Sequence, residues 1–353
     1  WHLLKSNFML PSSFNGGRMT QPSLNGQPTL FLAGDMGARH ETEIRDQLTT
    51  DWRILTWNDG DDPAQFAEKV VEADAIIAGN IRCDWPQAPN LKMYQVPFTG
   101  VEWLRPEKVP KGCLVCNTYE HEITMAEYVI AGLLEWEIGM RASDLKFREK
   151  GWNRLLPGTG VSHGELYGKT VGIVGYGHIG WEVAARAKAF GMRVTAVSRT
   201  ARETPAPLDW FGTLDELDRL LGESDYVVLT LPLAPETRGM FDTERLGKMK
   251  PTGVIINVGR GMVIHEESLY QALVDRRIGG AIIDVWYGYP TVGDLDRVPW
   301  NFPFDQLDNI IMTPHNSATS DAMRDRRLSF VARNVDHLAR GEALENVCFE
   351  GEG

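Results

Sequence analysis

The stretch GKTVGIVGYGHIG, residues 168–180, decides the fold. TVGIVG (170–175) is an unbroken apolar run of the length of a buried strand. Gly175-Tyr176-Gly177-His178-Ile179-Gly180 then spells G-x-G-x-x-G, and IGWEVAARAKAFG (179–191) reads as a helix closed by Gly191. The glycine spacing alone is a common accident. A strand before it, a helix after it and a unit of about 30 residues are what a dinucleotide site demands. Gly175 permits the tight turn, Gly177 lets a pyrophosphate approach the backbone, and Gly180 lets helix and strand pack closely. The free N–H groups and positive end of the helix then face the phosphates. Gly175, Gly177, His178, Ile179 and Gly180 are the cofactor-binding residues expected here; a glycine-rich turn without a ligand is the alternative.

Downstream, RVTAV (193–197) reads as a strand that ends in Ser198-Arg199-Thr200, with Arg202 beyond. An NAD site places a carboxylate about 20 residues past the glycines, on the ribose 2′-hydroxyl. None is present. A hydroxyl and a guanidinium suit a 2′-phosphate, because Arg pairs with two phosphate oxygens at once. The expected cofactor is therefore NADP(H), with NAD(H) the alternative, and Ser198, Arg199 and Thr200 the discriminating residues.

Further apolar runs follow at YVVLTLP (226–232), GVIINV (253–258), GAIIDVW (280–286) and NIIMTPH (309–315). Upstream, TLFLAG (29–34), RILTW (53–57), DAIIAG (74–79), LKMYQVP (91–97) and CLVCN (113–117) alternate with helical patterns at 41–48 and 64–73. Strands alternating with helices predict an α/β protein with parallel, doubly wound sheets. Thr124 to about Lys150 predicts one long helix, with Thr124 and Glu127 as a capping box, able to link two domains. SDAMRDRRLSFVARNVDHLARG (320–341) predicts a long amphipathic helix that returns to the first domain.

Composition narrows the function. The chain has 353 residues, 36 Lys and Arg against 48 Asp and Glu, and a net charge of -12. An acidic surface repels phosphate backbones, which disfavours nucleic acid and anionic membrane as partners. No run of about 18 apolar residues occurs, so no transmembrane helix is expected. Four cysteines do not make a disulfide scaffold. Cys113 and Cys116 lie in an apolar strand pattern and lack a second ligand pair, so they read as reduced strand cysteines rather than a metal site, in a cytoplasmic setting. Residues 1–28, rich in Ser, Asn, Gly and Pro, read as a disordered tail. The part before Met19 reads as an appended or processed end, and the interrupted apolar stretch argues against a signal peptide.

Three patches look like one chemistry. NVGRG (257–261) puts Arg260 at a strand end, DVWYGYP (284–290) follows another, and TPHNSAT (313–319) puts His315 after a third. Open parallel sheets bind ligands at these ends. Arg to hold a carboxylate and polarise a carbonyl, with His to supply a proton, are the parts needed to reduce a 2-oxo acid. The side chains of His163, His178 and His265 stand alone and read as surface or structural.

With GKTVGIVGYGHIG, LTLPLAPETRGMF, INVGRG, the Asp284 strand end and TPHNSAT, the chain over roughly residues 90–345 resembles the D-isomer-specific 2-hydroxyacid dehydrogenase family. The resemblance implies a Rossmann cofactor domain (124–321) inserted in a flavodoxin-like substrate domain (29–123 and 322–347), usually as a homodimer. By position it makes Arg260 the substrate-binding arginine and His315 the acid/base. It sets Asp284 by the nicotinamide, and Leu231, Pro232, Thr237, Val258 and Gly259 along the cofactor. Gly100 and Val101 would offer backbone N–H groups to the substrate carboxylate, and His121 falls where the family commonly has Asn.

A second departure matters more. The family's Glu, five residues after that Asp, bonds the histidine and raises its pKa; here the position is Tyr289. A phenol offers at most a neutral hydrogen bond, so Tyr289 should not raise the His315 pKa. Glu120, Glu122, Asp294 and Asp296 are the candidates to substitute. The loop's aromatics (Trp286, Tyr287, Tyr289, Trp300, Phe302, Phe304) could select a bulkier substrate, although packing or a dimer contact is the simpler reading. The expected function is an NADP-preferring oxidoreductase of a small 2-hydroxy or 2-oxo acid. Oxidation of a formate- or phosphite-like anion is one alternative, and an NADP-binding regulatory protein without turnover the other.

Overall fold

The structure, a computed structural model, describes residues 26–81, 85–101, 103–152, 162–200, 203–290 and 294–353. Most of the expected tail and Arg202 lie outside the described residues. The chain divides into two compact units, one running to Glu120 and resuming over Ser320–Gly353, the other His121–Thr319.

The first unit holds β1 (Thr29–Ala33), β2 (Arg53–Trp57), β3 (Ala75–Ala78), β4 (Met93–Gln95) and β5 (Leu114–Cys116), in the parallel order β5-β4-β3-β1-β2. That is the flavodoxin-like order. Helices α1 (Glu41–Gln47), α2 (Pro63–Glu72) and α9 (Asp321–Arg340) belong to it. β1 is buried throughout, and apolar after Thr29, because both its faces are covered. Phe31 and Ala33 join Trp57, Phe66 and Ile76 on one side. Leu30 and Leu32 join Ile44, Phe330, Val331 and Leu338 on the other. α2 begins where Asp62 accepts the N–H of Ala64 at 2.9 Å with Pro63 behind it. α9 begins on Ser320, which accepts from the Met323 N–H at 3.1 Å, and stops at left-handed Gly341. The last strand, β13 (Val347–Glu350), adds antiparallel to β5 and has no counterpart in the sequence expectations.

The second unit holds β6 (Thr170–Val174), β7 (Arg193–Ser198), β8 (Trp210–Thr213), β9 (Tyr226–Leu229), β10 (Val254–Asn257), β11 (Gly280–Ile283) and β12 (Ile310–Met312). All pair in parallel, in the order β12-β11-β10-β9-β6-β7-β8. The order reverses between β6 and β9, and the crevice beyond their carboxyl ends is where such sheets take ligands. The α/β class with two doubly wound sheets is the one the strand–helix alternation predicts, and a flavodoxin-like first unit is what the family resemblance implies. β8 was missed; it is a four-residue edge strand interrupted by Gly212.

The expected single helix over 124–150 is two helices, α3 (Glu122–Ile138) and α4 (Met140–Lys150). Gly139 sits in the left-handed region (φ +61°), and its N–H bonds Glu135 O at 2.8 Å, ending α3. Glu135 then caps the restart by accepting from the Arg141 N–H at 3.2 Å. The capping box at Thr124 is also corrected: the N-cap is His121, without a side-chain cap, because the helix starts one turn earlier. α5 (His178–Ala189) packs along α3. α6 (Leu217–Glu223), α7 (Thr243–Leu246) and α8 (Glu266–Val274) complete the unit. Among the described residues no helix is long and apolar enough to cross a membrane.

Candidate active site

The fingerprint glycines divide their work as their surroundings require. Gly175 has φ +99°, and a Cβ there would stand 3.0 Å from Leu231 Cδ2. At Gly180 a Cβ would stand 3.0 Å from Gly175 O and 3.1 Å from Ile173 Cγ2, the close helix–strand contact. At Gly177 it would meet nothing within 4 Å, so open space lies before the N-terminus of α5, of which His178 and Ile179 are the first residues. That space, facing free helix amides, fits a pyrophosphate. Thr230 Oγ1 donates to Gly175 O at 2.6 Å and ties the turn to the end of β9. Thr237 is held in its own turn, donating to Pro232 O at 2.7 Å and accepting the Ala234 N–H at 2.8 Å. Leu231 and Val258 are buried. At the end of β7, Ser198 Oγ donates to Thr200 O at 3.1 Å, while Arg199 is exposed and without an ion pair among the described residues.

Arg260 follows β10 on a turn built by a residue the sequence reading passed over. Asn257, almost fully buried, donates from Nδ2 to Arg260 O at 3.0 Å and accepts the Gly259 N–H at 3.1 Å. Glycines flank the arginine because the turn is squeezed from two sides. A Cβ at Gly259 would lie 2.7 Å from Leu231 O, and one at Gly261 would lie 2.2 Å from Trp286 O. The guanidinium, on an exposed residue, donates to Gly259 O at 3.0 Å.

His315 adopts a left-handed conformation, φ +57°, which costs a non-glycine residue about 1–3 kcal/mol. Asp284 is what holds it there. This carboxylate is completely buried and accepts from Thr313 Oγ1 at 2.6 Å, Asn316 N–H at 3.0 Å and Ser317 N–H at 3.0 Å. Hydrogen bonds to a charged acceptor contribute about 1.5–3 kcal/mol each, so three of them outweigh the strain. Asp284 therefore reaches any ligand through the loop it shapes. Thr313 Oγ1 also bonds the Tyr128 hydroxyl on α3, and Trp286 Nε1 donates to Thr313 O at 2.8 Å.

Tyr289 packs beside the histidine, ring centroids 5.3 Å apart, and its oxygen accepts the Trp286 N–H at 3.1 Å. Burial pushes its hydroxyl pKa up, against the opposing pull of the Trp286 N–H and the Arg260 charge. Burial likewise drives the His315 pKa below its ordinary value; Asp284 pulls it back up and Arg260 pushes it down again. The carboxylate that acts on the ring is thus Asp284, which is bonded to the N–H of the adjoining Asn316, and among the described residues no carboxylate is hydrogen-bonded to the imidazole.

His121 is the N-cap of α3. Gly100 and Val101 belong to the first unit, after β4, where Gly100 O accepts from Trp103 Nε1 at 3.0 Å and Val101 O from the Leu104 N–H at 2.9 Å. Cys113 and Cys116 are free and buried, and burial pushes both thiols far up. Among the described residues no three His, Cys, Asp or Glu side chains gather as a metal site.

A glycine cradle at a sheet's switch point, with an arginine after β10 and a histidine after β12 on either side of β11, defines a dinucleotide-dependent oxidoreductase. Residues 130–317 match the D-isomer specific 2-hydroxyacid dehydrogenase, NAD binding domain. The chain is 32% identical over 293 residues to a glyoxylate reductase of Pyrococcus furiosus, covering 79% of this chain and 83% of that protein. It resembles the crystal structure of a D-isomer specific 2-hydroxyacid dehydrogenase family protein from Aeromonas salmonicida, with TM-score 0.73, 27% identity, and 92% and 99% of the two chains covered. It also resembles a probable 2-hydroxyacid dehydrogenase from Rhizobium etli in complex with NADP, HEPES and L(+)-tartaric acid, with TM-score 0.72, 25% identity, and 92% and 98% covered. The chain belongs to the D-isomer specific 2-hydroxyacid dehydrogenase family and is an NAD(P)-dependent 2-hydroxyacid oxidoreductase.

Proposed function

We propose that the protein is an NADP-preferring reductase of 2-oxo acids. The observation that carries the reading is that Arg260 and His315 follow β10 and β12 of one parallel sheet, on either side of β11, whose end carries Asp284, the carboxylate that holds the His315 loop. Gly175, Gly177 and Gly180 hold the pyrophosphate of the dinucleotide, and Ser198 and Arg199 its 2′-phosphate, where a carboxylate would repel it. When bound, the dinucleotide supplies the hydride that the substrate's C2 receives. Arg260 binds the substrate carboxylate and stabilises the charge that develops on the carbonyl oxygen. His315, protonated, gives its ring proton to that oxygen and is left neutral, which completes a 2-hydroxy acid. The reverse direction returns the proton to His315.

A homodimer in a reducing, cytoplasmic setting fits this reading. Among the described residues α4 buries none of its own, while Met140, Leu145, Phe147 and the adjoining Trp152 are each more than half exposed. Such an apolar cluster is a surface for a second copy.

The decisive experiment is a panel of 2-oxo acids with NADPH and NADH, followed by absorbance. Turnover with NADPH well ahead of NADH is expected. Equal use of NADH rejects the preference, and no turnover of any 2-oxo acid rejects the reductase. One observation favours a second reading: Tyr289 and the low proton affinity of His315 suit oxidation of a formate-like anion, which needs no acid/base. Turnover of formate alone would select it.

A further inference from the structure

A cavity of about 400 Å³ opens beside the acid/base histidine, entirely within the second unit. Trp286, Tyr289, Pro299, Trp300, Met312 and Pro314 make its apolar wall, and His315 borders it. Trp286 and Trp300 meet at a centroid distance of 5.0 Å and an angle of 56°. Two polar groups of this wall are engaged within it: the Trp286 indole N–H donates to Thr313 O at 2.8 Å, and the Tyr289 oxygen accepts the Trp286 N–H at 3.1 Å. Phe302 and Phe304 of the same loop pack against Tyr270 and do not line the cavity, although Phe304 also meets the Trp286 ring at 6.2 Å.

We propose that this cavity receives the side chain of the substrate, and that the substrate is a 2-oxo acid carrying an aryl or branched apolar group rather than glyoxylate. The inference rests on the 2-oxoacid reductase reading above. A carbonyl that accepts the His315 proton lies one or two bonds from any substituent on C2. Because His315 is also a wall of the cavity, that substituent enters it. The volume falls in the range of small-molecule pockets, about 300–1,000 Å³, whereas a two-carbon acid has no group to place there. An aromatic ring fits the inclined indoles, since such rings favour edge-to-face and offset contacts. Arg297, exposed at the rim, is the one other charged side chain on the cavity.

The test compares phenylpyruvate with glyoxylate by kcat/KM for the wild type, Trp300→Ala and Trp300→Phe. Calorimetry with 3-phenyllactate and no dinucleotide runs in parallel. Wild-type preference for phenylpyruvate by about tenfold or more is expected, the scale a pocket achieves for apolar substituents. Trp300→Ala should cut the ratio several-fold and weaken 3-phenyllactate binding, while Trp300→Phe keeps most of both. Wild-type preference for glyoxylate overturns the proposal whether or not the variants fold, and so does a ratio indifferent to Trp300→Ala in a folded variant. Turnover of neither acid sinks the reductase reading alone; the calorimetry then decides the cavity, where heat lost in Trp300→Ala supports it and no heat in the wild type overturns it.

Discussion

Replacing Tyr289 with Glu should move the pH limit of 2-oxo acid reduction upward by about one unit. Reduction requires His315 protonated, so the rate falls as pH rises through its folded pKa. In the wild type that pKa lies below the usual histidine value because burial disfavours the imidazolium and Arg260 adds to the effect, with only Asp284 opposing. The two rings stand 5.3 Å apart. A carboxylate at about 5 Å attracts an imidazolium by about 3 kcal/mol at an effective dielectric of 20, and by about 0.8 kcal/mol in bulk water. His315 is shielded on its Tyr289 side but still reaches solvent, so an intermediate value of about 1–2 kcal/mol applies, which is about one pH unit. The assay is kcat/KM for reduction between about pH 5 and 9. The falling limb should start lower than in Glu-bearing relatives and shift up in Tyr289→Glu, while Tyr289→Phe, which brings no charge, leaves it in place. Coincident limbs in wild type and Tyr289→Glu would refute the reasoning, as would a wild-type profile flat to about pH 8.

Other outcomes follow from the same geometry. Thr313→Val removes a bond to Asp284 and one to Tyr128, so kcat should fall about tenfold with KM little changed, read by steady-state kinetics. Gly261→Ala puts a methyl 2.2 Å from Trp286 O and must displace the Arg260 turn; activity should drop at least about a hundredfold while far-UV dichroism stays native. In the first unit, burial pushes the Asp336 pKa up, but hydroxyl and N–H donors of Thr49 and Thr50 outweigh it and hold the group below its ordinary value. Its stabilisation is therefore present above about pH 3.9 and lost as pH falls through the folded pKa. Asp336→Asn should cost about 1–3 kcal/mol at neutral pH and flatten that acid limb in denaturant titrations.

The glycine turn and the apolar strands around it were legible in the chain, because each is a local pattern: a period, a spacing or a residue at the end of a run. The same locality explains the errors. Thr124 and Glu127 satisfy a capping rule that holds wherever a helix could begin, yet the helix begins at Glu122, and a single left-handed Gly139 divides what the periodicity runs together. β8 and β13 are short edge strands whose identity comes from their neighbours in the sheet, Trp210 beside Thr195 and Phe349 beside Val115. Sequence alone determined which residues this protein has available for chemistry. Only the tertiary structure decided how they are held, since Asp284, Thr313 and Tyr128 are far apart in the chain and become one network through three-dimensional contact. The strained His315 and the aromatic cavity exist for the same reason: each is made by segments that meet only when the strands pair.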